Sequence, residues 1–139
     1  MPSPTGAPPS AKFRVGLVQM TCSTDVAANR DKAAERIRQA AKKGAQVICL
    51  QELFAAQYFC QEEDYTRHNL AEPVPGPSTD LLTKLAKDLG IVIVAPIFER
   101  RAPGVNHNSA AIIDADGAIL GLYRKMHIPD DPKKKKKYY

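Results

Sequence analysis

Gln46-Val47-Ile48-Cys49-Leu50-Gln51-Glu52-Leu53-Phe54 is the stretch on which the fold turns. Residues 46–50 form an apolar run of strand length with no charge, the pattern of a strand in a parallel sheet covered on both faces. Gln51 and Glu52 follow at its carboxyl end, where α/β folds place their ligands. Upstream, residues 13–20 (Phe-Arg-Val-Gly-Leu-Val-Gln-Met) are β-rich and apolar enough for another buried strand. Between the two, residues 26–43 carry Ala33, Ile37, Ala40 and Ala41 at three- and four-residue steps, with Arg30, Arg36 and Lys42 directed to water. That is an amphipathic helix. Ser23 or Asp25 is placed to cap it, and Gly44 to end it.

Downstream, residues 54–77 break the pattern with Cys60, a Glu62-Glu63-Asp64 cluster and Pro73-Val74-Pro75-Gly76-Pro77. A connection of that length is usually functional or disordered. Ser78 is expected to cap a second helix whose apolar stripe is Leu81, Leu82, Leu85, Ala86 and Leu89 and whose end is Gly90. Residues 91–98 make a third buried strand. Residues 107–114 and 118–125 make two more, joined by Asp114-Ala115-Asp116-Gly117, a hairpin signal. The order β-α-β-loop-α-β-β-β implies an α/β layered sheet with crossovers between the first three strands and an antiparallel continuation.

The chain has 139 residues, 44% hydrophobic and 25% charged, which suits one globular domain and argues against disorder throughout. Its net charge of +5 lies wholly in Lys133 to Lys137; without them, basic and acidic residues balance at fifteen each. Residues 1–12 hold four prolines and read as a disordered leader, residues 13–132 as the ordered part, and residues 133–139 as a low-complexity lysine tail. No apolar run approaches the roughly 20 residues of a membrane span. Three cysteines, Cys22, Cys49 and Cys60, form no Cys-x-x-Cys pair, which fits reduced thiols in the cytoplasm. Zinc-ligand spacing is absent, and no metal or other cofactor is expected.

Two side chains invite chemistry. Glu52, at the end of an uncharged strand, is expected to be partly desolvated; burial raises a carboxyl pKa and suits a general base, whereas a nearby cation lowers it. Lys125, ending the last strand, can hold a developing oxyanion as a fixed point charge. Each also has a plain structural reading, as an arginine-paired carboxylate and a solvated lysine.

Taken in order, Val15-Gly16-Leu17-Val18-Gln19-Met20, Leu50-Gln51-Glu52-Leu53-Phe54, residues 71–77, Asn108-Ser109 with Asp114-Ala115-Asp116-Gly117, and Tyr123-Arg124-Lys125-Met126-His127-Ile128-Pro129 resemble the nitrilase, or carbon-nitrogen hydrolase, superfamily. Residues 57–63 and 126–132 resemble its branch acting on N-carbamoyl amines, with N-carbamoylputrescine, a step of putrescine and polyamine synthesis, as the expected substrate. The resemblance implies the N-terminal half of an α-β-β-α sandwich that is oligomeric at full length. It implies Glu52 as general base, Lys125 as oxyanion stabiliser, and an attacking cysteine on a later strand in a Cys-Trp-Asp-like segment. This sequence has no tryptophan and no such segment. Among its cysteines, Cys60 in the loop after Glu52 is the one to test as a substitute, while Cys22 and Cys49 read as small buried thiols. Aligned on Lys137-Tyr138-Tyr139, the family's second active-site glutamate falls on Lys136. The resemblance therefore implies a family domain interrupted after Pro132 by a frameshift, a mis-assembled gene end or a truncation, and inactive alone.

Two other readings compete. The lysine run can give salt-sensitive, non-specific phosphate binding, although no recognised nucleic-acid motif accompanies it. Alternatively the chain is a non-catalytic partner whose half sandwich leaves apolar strand faces to associate.

Overall fold

A computed structural model describes residues 12–61 and 64–128. The expected leader up to residue 11, Glu62 and Glu63, and everything from Pro129 onward, the lysine tail and Lys136 included, lie outside the described residues.

Five strands form one sheet in the order β1 (Val15–Val18), β2 (Val47–Leu50), β3 (Val92–Ala102), β4 (Val105–Ile113) and β5 (Ile119–Arg124). The first three run parallel and β4 and β5 continue antiparallel, as the element order predicts. Helix α1 (Val26–Lys42) connects β1 to β2, and α2 (Pro77–Leu89) precedes β3. Asp25 caps α1 by accepting from Ala28 N at 3.0 Å, and Gly44 follows it with a φ of 87°, the left-handed conformation glycine adopts freely. Ser78 is not the cap of α2. That helix starts from Gly76, whose N–H donates to Thr79 Oγ1 at 2.8 Å, and Ser78 is buried inside the first turn. Pro77 at the first helical position fixes the earlier start, because its ring already holds a helical φ and no N–H is lost.

Both helices pack on the same face of the sheet. Ile48 and Leu50 of β2, Ile93, Ala95 and Ile97 of β3, and Ala111 and Ile113 of β4 meet Ala33, Ala34 and Ile37 of α1 and Leu82, Leu85 and Ala86 of α2 in one core. Gly16 lets β1 join it: a Cβ there would stand 3.1 Å from that of Ala45 and 3.2 Å from that of Ala40. Among the described residues the helices cover the strands on one side only, where the sequence pattern predicts burial on both. Burial alternates along β2 and through residues 92–97, and on β1 Val15 and Leu17 are 51% and 81% exposed. With side chains alternating across a pleated strand, one apolar set enters the core while the other faces away from the helices. No described helix or strand lies over that second face.

Two further elements escaped the sequence pattern. Strand β3 runs on through Glu99, Arg100 and Arg101, and turns into β4 at Pro103-Gly104, with Gly104 at φ 73°. Residues 65–70 form a 3-10 helix, so the long connection after β2 is partly built. Its start is fixed by Asp64, which accepts from Thr66 N at 3.0 Å and pairs with Arg67.

Candidate active site

The connection leaving β2 turns sharply at Glu52. Leu53 takes φ 53°, a left-handed conformation that costs a branched side chain on the order of 1 kcal/mol. Its side chain is buried with Phe59, Cys60, Ala71 and Phe98, a second small core that holds the turn. Asn29 of α1 reinforces it, donating to the carbonyls of Ser23 and Ala55 at 2.9 and 3.0 Å. Gln51 ties down the neighbouring chain, its Oε1 accepting from Met20 N at 2.6 Å.

This scaffold brings Glu52 and Lys125 together, 73 positions apart in sequence. Lys125 Nζ stands 2.9 Å from Glu52 Oε1. Asn108 of β4 joins them: its Nδ2 donates to the same oxygen at 2.6 Å, and its carbonyl accepts from Lys125 N at 2.8 Å. One asparagine therefore orients the carboxylate and anchors the backbone that presents the lysine. Spacing alone does not reveal this role, because it depends on the β3–β4–β5 register that sets Asn108 opposite Phe98 and next to the last paired residues of β5.

The electrostatics decide between the two opposing effects expected at Glu52. Burial pushes the Glu52 carboxyl up, but the hydrogen bonds from Lys125 and Asn108 and the lysine charge outweigh it, so the net pKa is below the ordinary value. The reason is that the side chain keeps 43% of its surface exposed, which limits desolvation, while a cation sits in contact. Lys125 is raised by its hydrogen bond to Glu52, against the smaller opposing effect of desolvation. Carboxylate and ammonium are both charged at neutral pH.

An open cavity of about 450 Å³ beside Glu52 is lined by Thr21, Cys22, Gln51, Gln57, Tyr58 and others. Cys22 shares this cavity, yet burial pushes its thiol pKa up despite the charge of Lys32, and its Sγ donates to the Phe54 carbonyl at 3.2 Å. Cys60 is 3% exposed beneath Phe59 and Phe98. Cys49 is half-buried on β2. Among the described residues, no three His, Cys, Asp or Glu side chains group as metal ligands, and no helix is long and apolar enough to cross a membrane.

Behind Lys125, Glu99 is buried and gripped by Arg124, with Nε to Oε2 at 2.8 Å and Nη2 to Oε1 at 2.6 Å, and by Ser109 Oγ at 2.6 Å. Burial raises its pKa, but these donors bring it below the ordinary 4.5. A carboxylate depressed by folding stabilises the native state fully above its unfolded value and loses that contribution as pH falls through the folded one. Urea denaturation should accordingly show stability falling below pH 4.5, and Glu99→Gln should be less stable at neutral pH with a flatter acid profile. An unchanged acid profile in that variant would assign the loss to other carboxylates. Glu52 contributes less to it, being exposed and screened.

The carbon-nitrogen hydrolase family model matches residues 14–139. The chain belongs to the carbon-nitrogen hydrolase family. A tomato (Solanum lycopersicum) protein named N-carbamoylputrescine amidase is 47% identical over 126 residues, which are 90% of this chain and 42% of the relative. A citrullinase of Francisella tularensis subsp. tularensis is 40% identical over 93% of this chain and 45% of its own length. A carbon-nitrogen hydrolase from Helicobacter pylori G27 superposes with a TM-score of 0.80 at 36% identity, covering 85% of this chain and 41% of that one. This carbon-nitrogen hydrolase chain thus spans less than half the length of the curated relatives it matches, and its sheet with helices on one face is one α-β layer pair of the family's sandwich.

Proposed function

We propose that the chain supplies the glutamate and the lysine of a hydrolase site that cleaves N-carbamoyl amines, with N-carbamoylputrescine as substrate, and that none of its own three cysteines is the nucleophile. The observation that carries this is the Asn108-braced contact of Glu52 with Lys125 at the carboxyl end of a parallel strand. Glu52 takes the proton of an attacking thiol. The thiolate forms a C–S bond to the carbamoyl carbon, and the electron pair of the C=O moves to oxygen, where Lys125 meets the developing charge. Collapse breaks the bond to the terminal nitrogen, which leaves as ammonia with the proton held by Glu52. Water, deprotonated by Glu52, then cleaves the thioester-like intermediate to a carbamate that releases carbon dioxide and amine. An ammonium has three donors, so Lys125 can hold Glu52 with one and an oxyanion with the others.

The cysteine assignment rests on the burial of Cys60 and on the raised pKa of Cys22, since a thiol held neutral is a poor nucleophile. Purified chain incubated with N-carbamoylputrescine should release no ammonia above buffer. Turnover abolished by Cys60→Ala or Cys22→Ala would overturn that assignment. A chimera joining residues 13–128 to the C-terminal part of the tomato relative should turn over the same substrate. A folded but inactive chimera would count against the glutamate and lysine.

A further inference from the structure

Lys125 carries a long, flexible side chain and directly follows β5, a strand of six residues that among the described residues pairs with β4 alone. Its ammonium must nevertheless reach Glu52 at the end of β2, with β3 and β4 lying between. Asn108 holds its backbone through one hydrogen bond. What holds the end of β5 from the other side is its neighbour, Arg124. Arg124 is the register partner of Ser109, while Lys125 continues the chain toward Asn108. Its guanidinium reaches Glu99 with two parallel bonds, and Ser109, itself buried, gives Glu99 a third. Bidentate arginine–carboxylate pairs fix geometry as well as charge.

We propose that Glu99, Arg124 and Ser109 form a positioning clamp that sets where Lys125 delivers its ammonium to Glu52. The clamp stands on a rigid base. Glu99 lies within β3, the longest strand, and the backbone of Glu72 pairs alongside it, Glu72 N donating to Phe98 O at 3.0 Å and Arg100 N to Glu72 O at 2.8 Å. The Glu72 side chain is occupied elsewhere, accepting from Ser78 N at 2.8 Å with Arg30 at 3.8 Å. His107, the register partner of Glu99, is the other charged or titratable group nearby, and its Nε2 is buried without a hydrogen-bond partner. Glu99 therefore has Arg124 as its one ion-pair partner among the described residues. The pair is buried at Glu99 and 38% exposed at Arg124, and its two-pronged contact fixes where the end of β5 sits. A groove of side chains that must act together is only as accurate as the residues fixing their backbones.

The use of this geometry in catalysis rests on the function proposed above; the coupling of the clamp to the Glu52–Lys125 contact does not. It is read in the 139-residue chain itself by following the Glu52 carboxyl carbon through a pH titration by NMR. Lys125→Met defines the full upward shift of the Glu52 midpoint when the ammonium is lost. Arg124→Gln should give at least half that shift, and Arg124→Lys should fail to restore the wild-type midpoint because a point charge cannot reproduce the fork. Ser109→Ala, which removes a single neutral donor, should give a smaller shift in the same direction, and it decides the matter if Arg124→Gln does not keep the dispersed amide spectrum of a folded chain. A Glu52 midpoint unmoved in the folded variants would show that the clamp serves stability alone and would overturn the proposal. An inactive chimera alongside a shifted midpoint would instead remove the hydrolase reading and leave the clamp intact.

Discussion

In the chimera, Glu52→Gln lowers kcat on N-carbamoylputrescine by about 10³-fold or more while KM changes little, because general-base catalysis of this kind contributes about 10²–10⁴. Glutamine keeps the size of the side chain and can still accept from Lys125 and Asn108, so the loss isolates the proton acceptor. Lys125→Met should cost a comparable amount by a different route, the loss of a charge aimed at the oxyanion, for which removal of one donor costs about 10²–10³. The two are separated by pH. Glu52 is below its ordinary pKa of 4.5, so the acid limb of kcat/KM lies below that value in the parent chimera. Removing a donor to a carboxylate destabilises its charged form and raises its pKa. Asn108→Ala should therefore move the acid limb toward higher pH with part of the rate retained, and Lys125→Met should move it further. An acid limb fixed through both substitutions would mean that a group other than Glu52 controls it, and a Glu52→Gln enzyme within tenfold of its parent would remove the base from the mechanism.

The parts of the molecule legible in sequence are those decided by local pattern. An uncharged strand of four or five residues, a helix with alanines at three- and four-residue steps and a left-handed glycine at its end all sit where periodicity puts them. Glu52 stands out because it follows such a strand, and Lys125 because the last apolar pattern stops there. What could not be seen was relational. Asn108 enters the resemblance only as part of Asn108-Ser109, with no role of its own, until the register sets it beside both partners. Glu99, Arg100 and Arg101 lie beyond the apolar run that marks the third strand, yet the strand continues through them and Glu99 is 3% exposed because Arg124 and Ser109 neutralise and saturate it. The pKa of Glu52 went the other way from burial alone for the same reason: a contact with a distant lysine outweighs desolvation at a half-exposed site. Strand coverage is not legible in the sequence, because an apolar run says that a strand avoids water, not which layer in the chain or outside it provides the cover.

That uncovered layer leads to the second large effect, concentration-dependent association of the 139-residue chain. Along the face away from the helices, Val15 and Leu17 of β1 are exposed, Val47 and Cys49 of β2 and Val92, Val94 and Pro96 of β3 are half-buried, and Tyr123 of β5 is 58% exposed. These positions share a face by register, Leu17 opposite Cys49 and Cys49 opposite Val94, so the apolar surface is contiguous across three parallel strands. Soluble monomers rarely expose a contiguous apolar patch larger than a few hundred Å². Stacked sheets bury such faces against each other about 10 Å apart. Sedimentation across a hundredfold range of concentration should show the chain growing heavier, with a hydrophobic dye bound to the folded form. Among the described residues β1 is an edge strand, which offers a second route to association, and the two separate by substitution. Charges on the open face, Leu17→Lys with Val94→Lys, should disperse the assemblies and lower dye binding while the helical signal is kept. Proline at Val15 blocks edge pairing while leaving Leu17, Val94 and the rest of the apolar face in place. Loss of association with Val15→Pro and not with the lysine pair would identify the edge as the contact, and a chain that stays monomeric and binds no dye throughout would show that the face is covered after all.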